Sequence, residues 1–160
     1  MKKWLLLSAA LLALNGCAHV VSRANLEKAD RSISVADLIK KPEKYKGKIV
    51  ILGGNIVNSL NKNDGTYIEV LHKKLDSLGR PVESNETLGR FIVFHEGYLD
   101  TAIFAKGRRL TVAGEVIGQK KLPLGEIEYK YPLIKSMELH MTDPRQEPTI
   151  RLGIGIGGTF

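Results

Sequence analysis

Lys48-Ile49-Val50-Ile51-Leu52-Gly53-Gly54-Asn55-Ile56-Val57, then Asn63-Asp64-Gly65, then Thr66-Tyr67-Ile68-Glu69-Val70-Leu71: two β-rich runs flanking a tight-turn tripeptide decide the fold. Asn and Asp followed by Gly supply the positive-φ residues that a short hairpin connection needs, so the two runs are read as an antiparallel pair. A glycine pair inside the first run weakens a strand interior and marks a bulge or a sharp barrel bend. Simple backbone crowding against a neighbour is the competing reading, and both make alanine harmful there.

Downstream the pattern continues as short apolar runs between glycine-containing turns. A polar loop from Lys73 to Gly89 precedes a third strand over Arg90 to Phe94; a fourth follows over Leu110 to Ile117. Glu126 to Met141 supplies a fifth and, because Pro132 interrupts it, room for a sixth strand, with the proline at an edge or a change of sheet. The loop is too long to be inert by default and is expected to cover one end of the domain. Five or six strands with a bent first strand and few helices give a mainly β fold, a small curved antiparallel barrel of OB-like type with a short N-terminal helix.

That helix is placed upstream. Ser34 precedes Val35-Ala36-Asp37-Leu38-Ile39, and a serine N-cap with an acidic residue three positions on forms a capping box. Lys41-Pro42 ends it, since the residue before proline is pushed out of the helical region. Lys40, Lys41, Lys44, Lys46 and Lys48 cluster there; they read as a solvated helix end and turn, or as a contact for anionic headgroups or acidic glycans. Ala18 to Ser32 has few large apolar residues and no sustained period, which reads as a tether.

Further out lies the most specific motif of the chain. Leu14-Asn15-Gly16-Cys17 closes an uncharged run from Trp4 to Leu14 that follows Lys2 and Lys3. A basic start, a short apolar run and a small residue before the cleavage point make a signal peptide, and eleven apolar positions fall short of the roughly 20 needed to span a membrane. The Cys17 thiol is the group that would form the thioether to diacylglycerol, with an N-acyl chain added after cleavage between Gly16 and Cys17. The competing reading is an N-terminal core helix with a buried Cys17. Since Cys17 is the single cysteine, no internal disulfide is available, and lipidation disposes of an otherwise oxidisable thiol. Ala18, rather than Asp, follows the cysteine, which favours the outer membrane over inner-membrane retention.

The resulting division is a signal peptide over 1–16, a tether over 17–32, a barrel domain over 33–142 and a glycine-rich flexible tail over 143–160. The net charge of the 160 residues is +7, and it belongs mostly to the mature part. Gly153-Ile154-Gly155-Ile156-Gly157-Gly158 loosely resembles a phosphate-cradling loop but lacks the Lys-Ser or Lys-Thr that should follow.

Catalytic and metal chemistry are not indicated. His19, His72, His95 and His140 lack ligand spacing, and the one cysteine is assigned to lipid. Glu126, Glu128 and Lys130 share a face at period two, as a solvated sheet surface does. A basic OB-like barrel with Tyr67, Tyr98, Tyr129 and Tyr131 would suggest single-stranded nucleic acid, but the envelope compartment argues for glycans, lipids or envelope proteins instead. Tyr67, Arg90, Tyr129 and Tyr131 are therefore the candidate ligand surface, with amphipathic packing as the plainer account of the tyrosines.

Seven short motifs then occur in order: Gly53-Gly54, Glu69-Val70-Leu71, Leu75-Asp76 with Gly79-Arg80-Pro81, Gly89-Arg90-Phe91, Gly97-Tyr98-Leu99-Asp100, Leu110-Thr111-Val112 with Gly114, and Tyr129 with Tyr131-Pro132. Over roughly residues 42 to 141 the sequence resembles the Slp family of starvation-inducible outer-membrane lipoproteins. The resemblance implies a lipid-anchored outer-membrane protein linked to stationary-phase or stress physiology, with no established enzymatic activity. Leu52 replaces an aromatic expected before the glycine pair, and a short glycine tail replaces a longer aromatic-rich C-terminal part. Only the lipidated cysteine carries over, onto Cys17. The reading is a non-enzymatic, periplasm-facing lipoprotein contributing to envelope integrity or stress resistance, with no cofactor beyond its lipid. The alternative is an accessory subunit binding peptidoglycan, lipopolysaccharide or another envelope ligand, and a hydrolase is third.

Overall fold

The computed structural model describes residues 19–142. The signal peptide, Gly16, Cys17 and the glycine-rich tail lie outside them. Five strands, β1 (Ile49–Lys62), β2 (Gly65–His72), β3 (Arg90–His95), β4 (Arg109–Leu124) and β5 (Ile127–Thr142), close into a barrel in the order β1-β2-β3-β5-β4. The mainly β, OB-like expectation is met with five strands. Its antiparallel description needs one change, because β3 and β5 pair in parallel through Ile92–Leu133, Val93–Ile134 and Phe94–Lys135. That pairing seals the ring, and a parallel neighbour demands a long crossover, here residues 96–126, which carry β4.

Strand β1 explains the curvature. From Ile49 to Asn55 it pairs with β4, and from Gly54 to Lys62 with β2, so one strand serves both flanks and gains its second partner at the glycine pair. The bulge itself lies beyond the glycines, between Ile56 and Asn58. The Asn63-Asp64 turn joins β1 to β2 as the sequence predicts, and Gly65 that follows has φ +142°.

β4 runs longer than predicted, while β5 keeps the predicted length. They pair from Arg109–Thr142 out to Leu124–Ile127, whereas β3 meets β5 only from Leu133 onward. Before Pro132 the ribbon therefore has a free edge, where a missing N–H costs no ladder bond. Pro132 stays inside one continuous β5, so no sixth strand occurs among the described residues. The core is the barrel interior, with Ile56, Ile68, Phe91, Leu110 and Ile134 fully buried among its largest members.

A helix packs onto the core. Helix α2 (Val35–Lys40) carries the predicted capping box: Ser34 Oγ accepts from the Asp37 amide at 3.2 Å, and the Ser34 amide donates to Asp37 Oδ2 at 3.1 Å. Val35 and Leu38 on its inner face are buried, while the five clustered lysines that follow are exposed. Removing the cap with Ser34→Ala is expected to cost about 1 kcal/mol, read as a lower urea midpoint with an unchanged slope. No change would mean that packing of Val35 and Leu38 alone holds the helix.

The segment read as a tether is docked from His19 onward. Helix α1 (Arg23–Lys28) follows a buried Val21, the Val20 amide donates to the Leu78 carbonyl at 2.9 Å, and the Asp30 amide donates to the Ile49 carbonyl at 2.8 Å. The described part of the segment read as a tether, from His19 to Ser32, thus belongs to the folded domain.

Candidate functional site

Glu69 on β2 organises the candidate surface. Its carboxylate accepts from Arg90 on β3 at 2.7 Å and from the Tyr131 hydroxyl on β5 at 3.2 Å, because antiparallel register sets β2 beside β3 while the β3–β5 pairing brings β5 alongside. Tyr131 is buried, and its phenol titrates above the ordinary range, first because burial disfavours the phenolate and then because Glu69 is negative. It stays a neutral donor. The salt bridge and the phenol satisfy each other, the arrangement a partly buried ion pair needs to be tolerated.

Tyr129 and Tyr131 meet edge to face with ring centroids 4.7 Å apart, but they serve different neighbours. The Tyr129 hydroxyl accepts from the Arg90 amide at 3.0 Å and sits where a Cβ on Gly89 would fall. Gly89 is thereby explained by close approach. Tyr67, two residues from Glu69 on the same face of β2, packs against Phe94 at 5.0 Å and donates to Asp64 at 2.6 Å. The hydrogen bond to Tyr67 holds the Asp64 carboxyl below its ordinary range. Lys120 and Lys62 stand 4.4 and 5.2 Å from the Tyr67 ring centre, so cations already occupy its face.

The structure thus brings all four predicted residues to neighbouring positions on β2, β3 and β5. Only Tyr67 and Tyr131 line a common hollow, together with Glu69, Lys62, Lys120 and Ile92. Its volume is about 120 Å³, below the roughly 300–1,000 Å³ of enclosing ligand pockets. It can meet the edge of a ligand but not surround one. Glu126, Glu128 and Lys130 are exposed on the ribbon, away from this hollow.

A second polar centre escaped the sequence reading. Glu138 on β5 accepts from the Ser22 amide at 3.0 Å, from Ser22 Oγ at 2.7 Å and from Asn25 at 2.6 Å, and pairs with His140 Nε2 at 2.6 Å. Burial by itself raises the Glu138 pKa, but hydrogen bonds from His140, Asn25 and Ser22 outweigh it and bring it from 4.5 to about 2. The folded value lies below the unfolded one, so this stabilisation is complete above pH 4.5 and is lost as the pH falls through about 2. Acidification in that window is expected to speed cleavage of α1 by an acid-active protease while the barrel stays intact. At neutral pH, Glu138→Gln should speed trypsin cleavage at Arg23 and Lys28, and an unchanged digestion rate would remove Glu138 from this role.

A third feature is an apolar groove of about 790 Å³ between helix α2, β1 and the 73–89 loop. Lys73 stitches that loop to itself through the Ser84 carbonyl, and Asp76 holds Arg80 by an ion pair of 2.8 Å. No signal in the sequence distinguished this groove, since its lining comes from four separated segments.

Comparison with known proteins follows the same outline. An uncharacterized protein of Haemophilus influenzae is 31% identical over 82% of this chain and 72% of its own length. The uncharacterized lipoprotein YeaY of Escherichia coli is 26% identical over 83% and 68%, and the outer membrane protein Slp of the same organism 26% identical over 57% and 48%. Among solved structures, the small single-stranded DNA-binding protein from Streptomyces coelicolor matches 63% of this chain and 97% of its own at 15% identity, with a TM-score of 0.39. The model of the outer membrane lipoprotein Slp family matches residues 14–152, from the lipidation motif through the whole barrel. The chain therefore belongs to the outer membrane lipoprotein Slp family.

Proposed function

We propose that the protein is a non-enzymatic envelope component, held by lipid on Cys17 at the periplasmic face of the outer membrane and contributing to envelope integrity under stress. The observation that carries this reading is the docking of the N-terminal segment: with Val21 buried and Ser22 bound to Glu138, the barrel would sit within a few residues of its anchor, close against the membrane. The polar groups on the candidate face bond one another, as in a structural network; this supports a scaffold rather than a reaction centre. Strains lacking the protein are expected to take up more detergent or dye in stationary phase than their parent. Equal permeability would overturn the integrity reading.

The hollow at Tyr67 and Tyr131, ringed by Lys62 and Lys120, favours one second reading, an accessory module touching an acidic glycan or lipopolysaccharide. Binding of peptidoglycan fragments and of lipopolysaccharide to the purified protein at low salt tests it, with Lys62→Ala and Lys120→Ala as variants. No binding at low salt removes the accessory role.

A further inference from the structure

We propose that the apolar groove beneath the 73–89 loop seats one acyl chain of the lipid carried on Cys17, an inference that rests on the anchor reading above. Ile33, Val35, Ile51, Leu52, Leu75 and Leu88 form its apolar wall, and its volume of about 790 Å³ falls in the range of pockets that enclose small apolar ligands. Leu88 stays 49% exposed on the rim, an apolar surface that water alone would cover at a cost.

The course of the chain names the occupant. His19 packs its ring where a side chain on Gly79 would otherwise lie, and the Val20 amide fixes it there through Leu78. The hollow at His19 is bounded by Ile33, Ile51 and Leu75, three residues that also line the groove. The two hollows adjoin. Cys17 stands two residues before His19, a span of at most about 7 Å along the chain, well inside the reach of an extended hydrocarbon chain.

Chemistry separates an acyl chain from a peptide in this place. A peptide would bring N–H and C=O groups that need partners, and on the edge of β1 away from β4 the Gly53 carbonyl already accepts from the Lys73 amide and the Ile49 carbonyl from the Asp30 amide. A hydrocarbon chain makes no such demand. One chain drawn into the groove and the others left in the bilayer would fix the barrel with its α2 side toward the membrane.

The test uses the acylated protein in its own envelopes. Cells are fed a fatty acid bearing a diazirine, the envelopes are irradiated, and cross-linked peptides are mapped by tandem mass spectrometry. The expected product joins Cys17, through its acyl chain, to a peptide holding residues 72–75 or 85–88. Thr87→Trp, at an exposed rim position, should block the groove and lower that yield by about tenfold; Leu88→Asp serves if that variant does not fold. An unchanged yield overturns the proposal. So do phospholipid adducts on the groove peptides without the Cys17 product, which would make the groove a site for bilayer lipid. A bare thiol found beforehand by intact mass overturns the anchor reading as well, whereas acylated Cys17 cross-linked elsewhere overturns the groove assignment alone.

Discussion

Gly54→Ala is expected to open the barrel at the seam between β1 and β2, lowering the unfolding free energy by about 3 kcal/mol or more. A Cβ at this position would overlap the Leu71 carbonyl and press on Val70 Cγ1 at 2.9 Å. The obstacle is backbone on a paired strand, which no rotamer change can move aside. Gly54, like Asn55 after it, is also paired on both sides at once, with His72 and with Leu110. A shift made to relieve one seam strains the other. Against the 5–15 kcal/mol typical of whole domains, such a loss removes a fifth to a half or so of the stability and should show as a clear drop in the urea midpoint. Gly47→Ala is the control: it has φ +80° but nothing within 4 Å, so it should cost only the 1–2 kcal/mol or so of a left-handed side chain. A Gly54→Ala midpoint as high as that of Gly47→Ala would refute the crowding argument.

The second large effect concerns location. On the anchor reading proposed above, Cys17→Ala removes the thiol that takes the diacylglyceryl group, so neither that group nor the N-acyl chain that would follow cleavage is added, and the roughly 0.8 kcal/mol that each buried methylene contributes to membrane retention is lost. Because acylation precedes cleavage at such sites, the variant should also keep residues 1–16, giving an intact mass of the full chain. Its sedimentation is expected to leave the outer-membrane fraction entirely. If it stayed there, an apolar protein surface would have to hold it, and exposed Leu60 and Ile127 would become the residues to change next.

Much of this was readable in advance where a local rule is also the global one. The capping box at Ser34 and Asp37 and the turn at Asn63-Asp64 depend on residues within a few positions of one another, so the sequence reading and the structure agree on them; at Gly53-Gly54 the structure favours crowding by distant neighbours, Leu75 and the Leu71 carbonyl, over a bulge. The docked N-terminal segment was not readable, because its binding rests on Glu138, 116 residues away from Ser22, and on the single apolar side chain of Val21. The full length of β4 was hidden for a related reason: Gln119 to Leu124 are strand only because Ile127 to Pro132 fold back on them. At the candidate surface, Tyr67, Arg90, Tyr129 and Tyr131 were found by type and period. Their organiser, Glu69, was not, since one carboxylate inside an alternating strand carries no mark of the arginine and tyrosine it will hold.

The parallel seam between β3 and β5 has a kinetic meaning. As the chain emerges from its N-terminus, β1 and β2 can zip together as a hairpin, but β3 finds its second neighbour, and β4 its later one, only when residues up to Thr142 are available. Contacts of such wide sequence separation form slowly. The polypeptide should consequently stay pliable until synthesis is nearly finished, and the last strand acts as the keystone that turns a loose ribbon into a rigid ring.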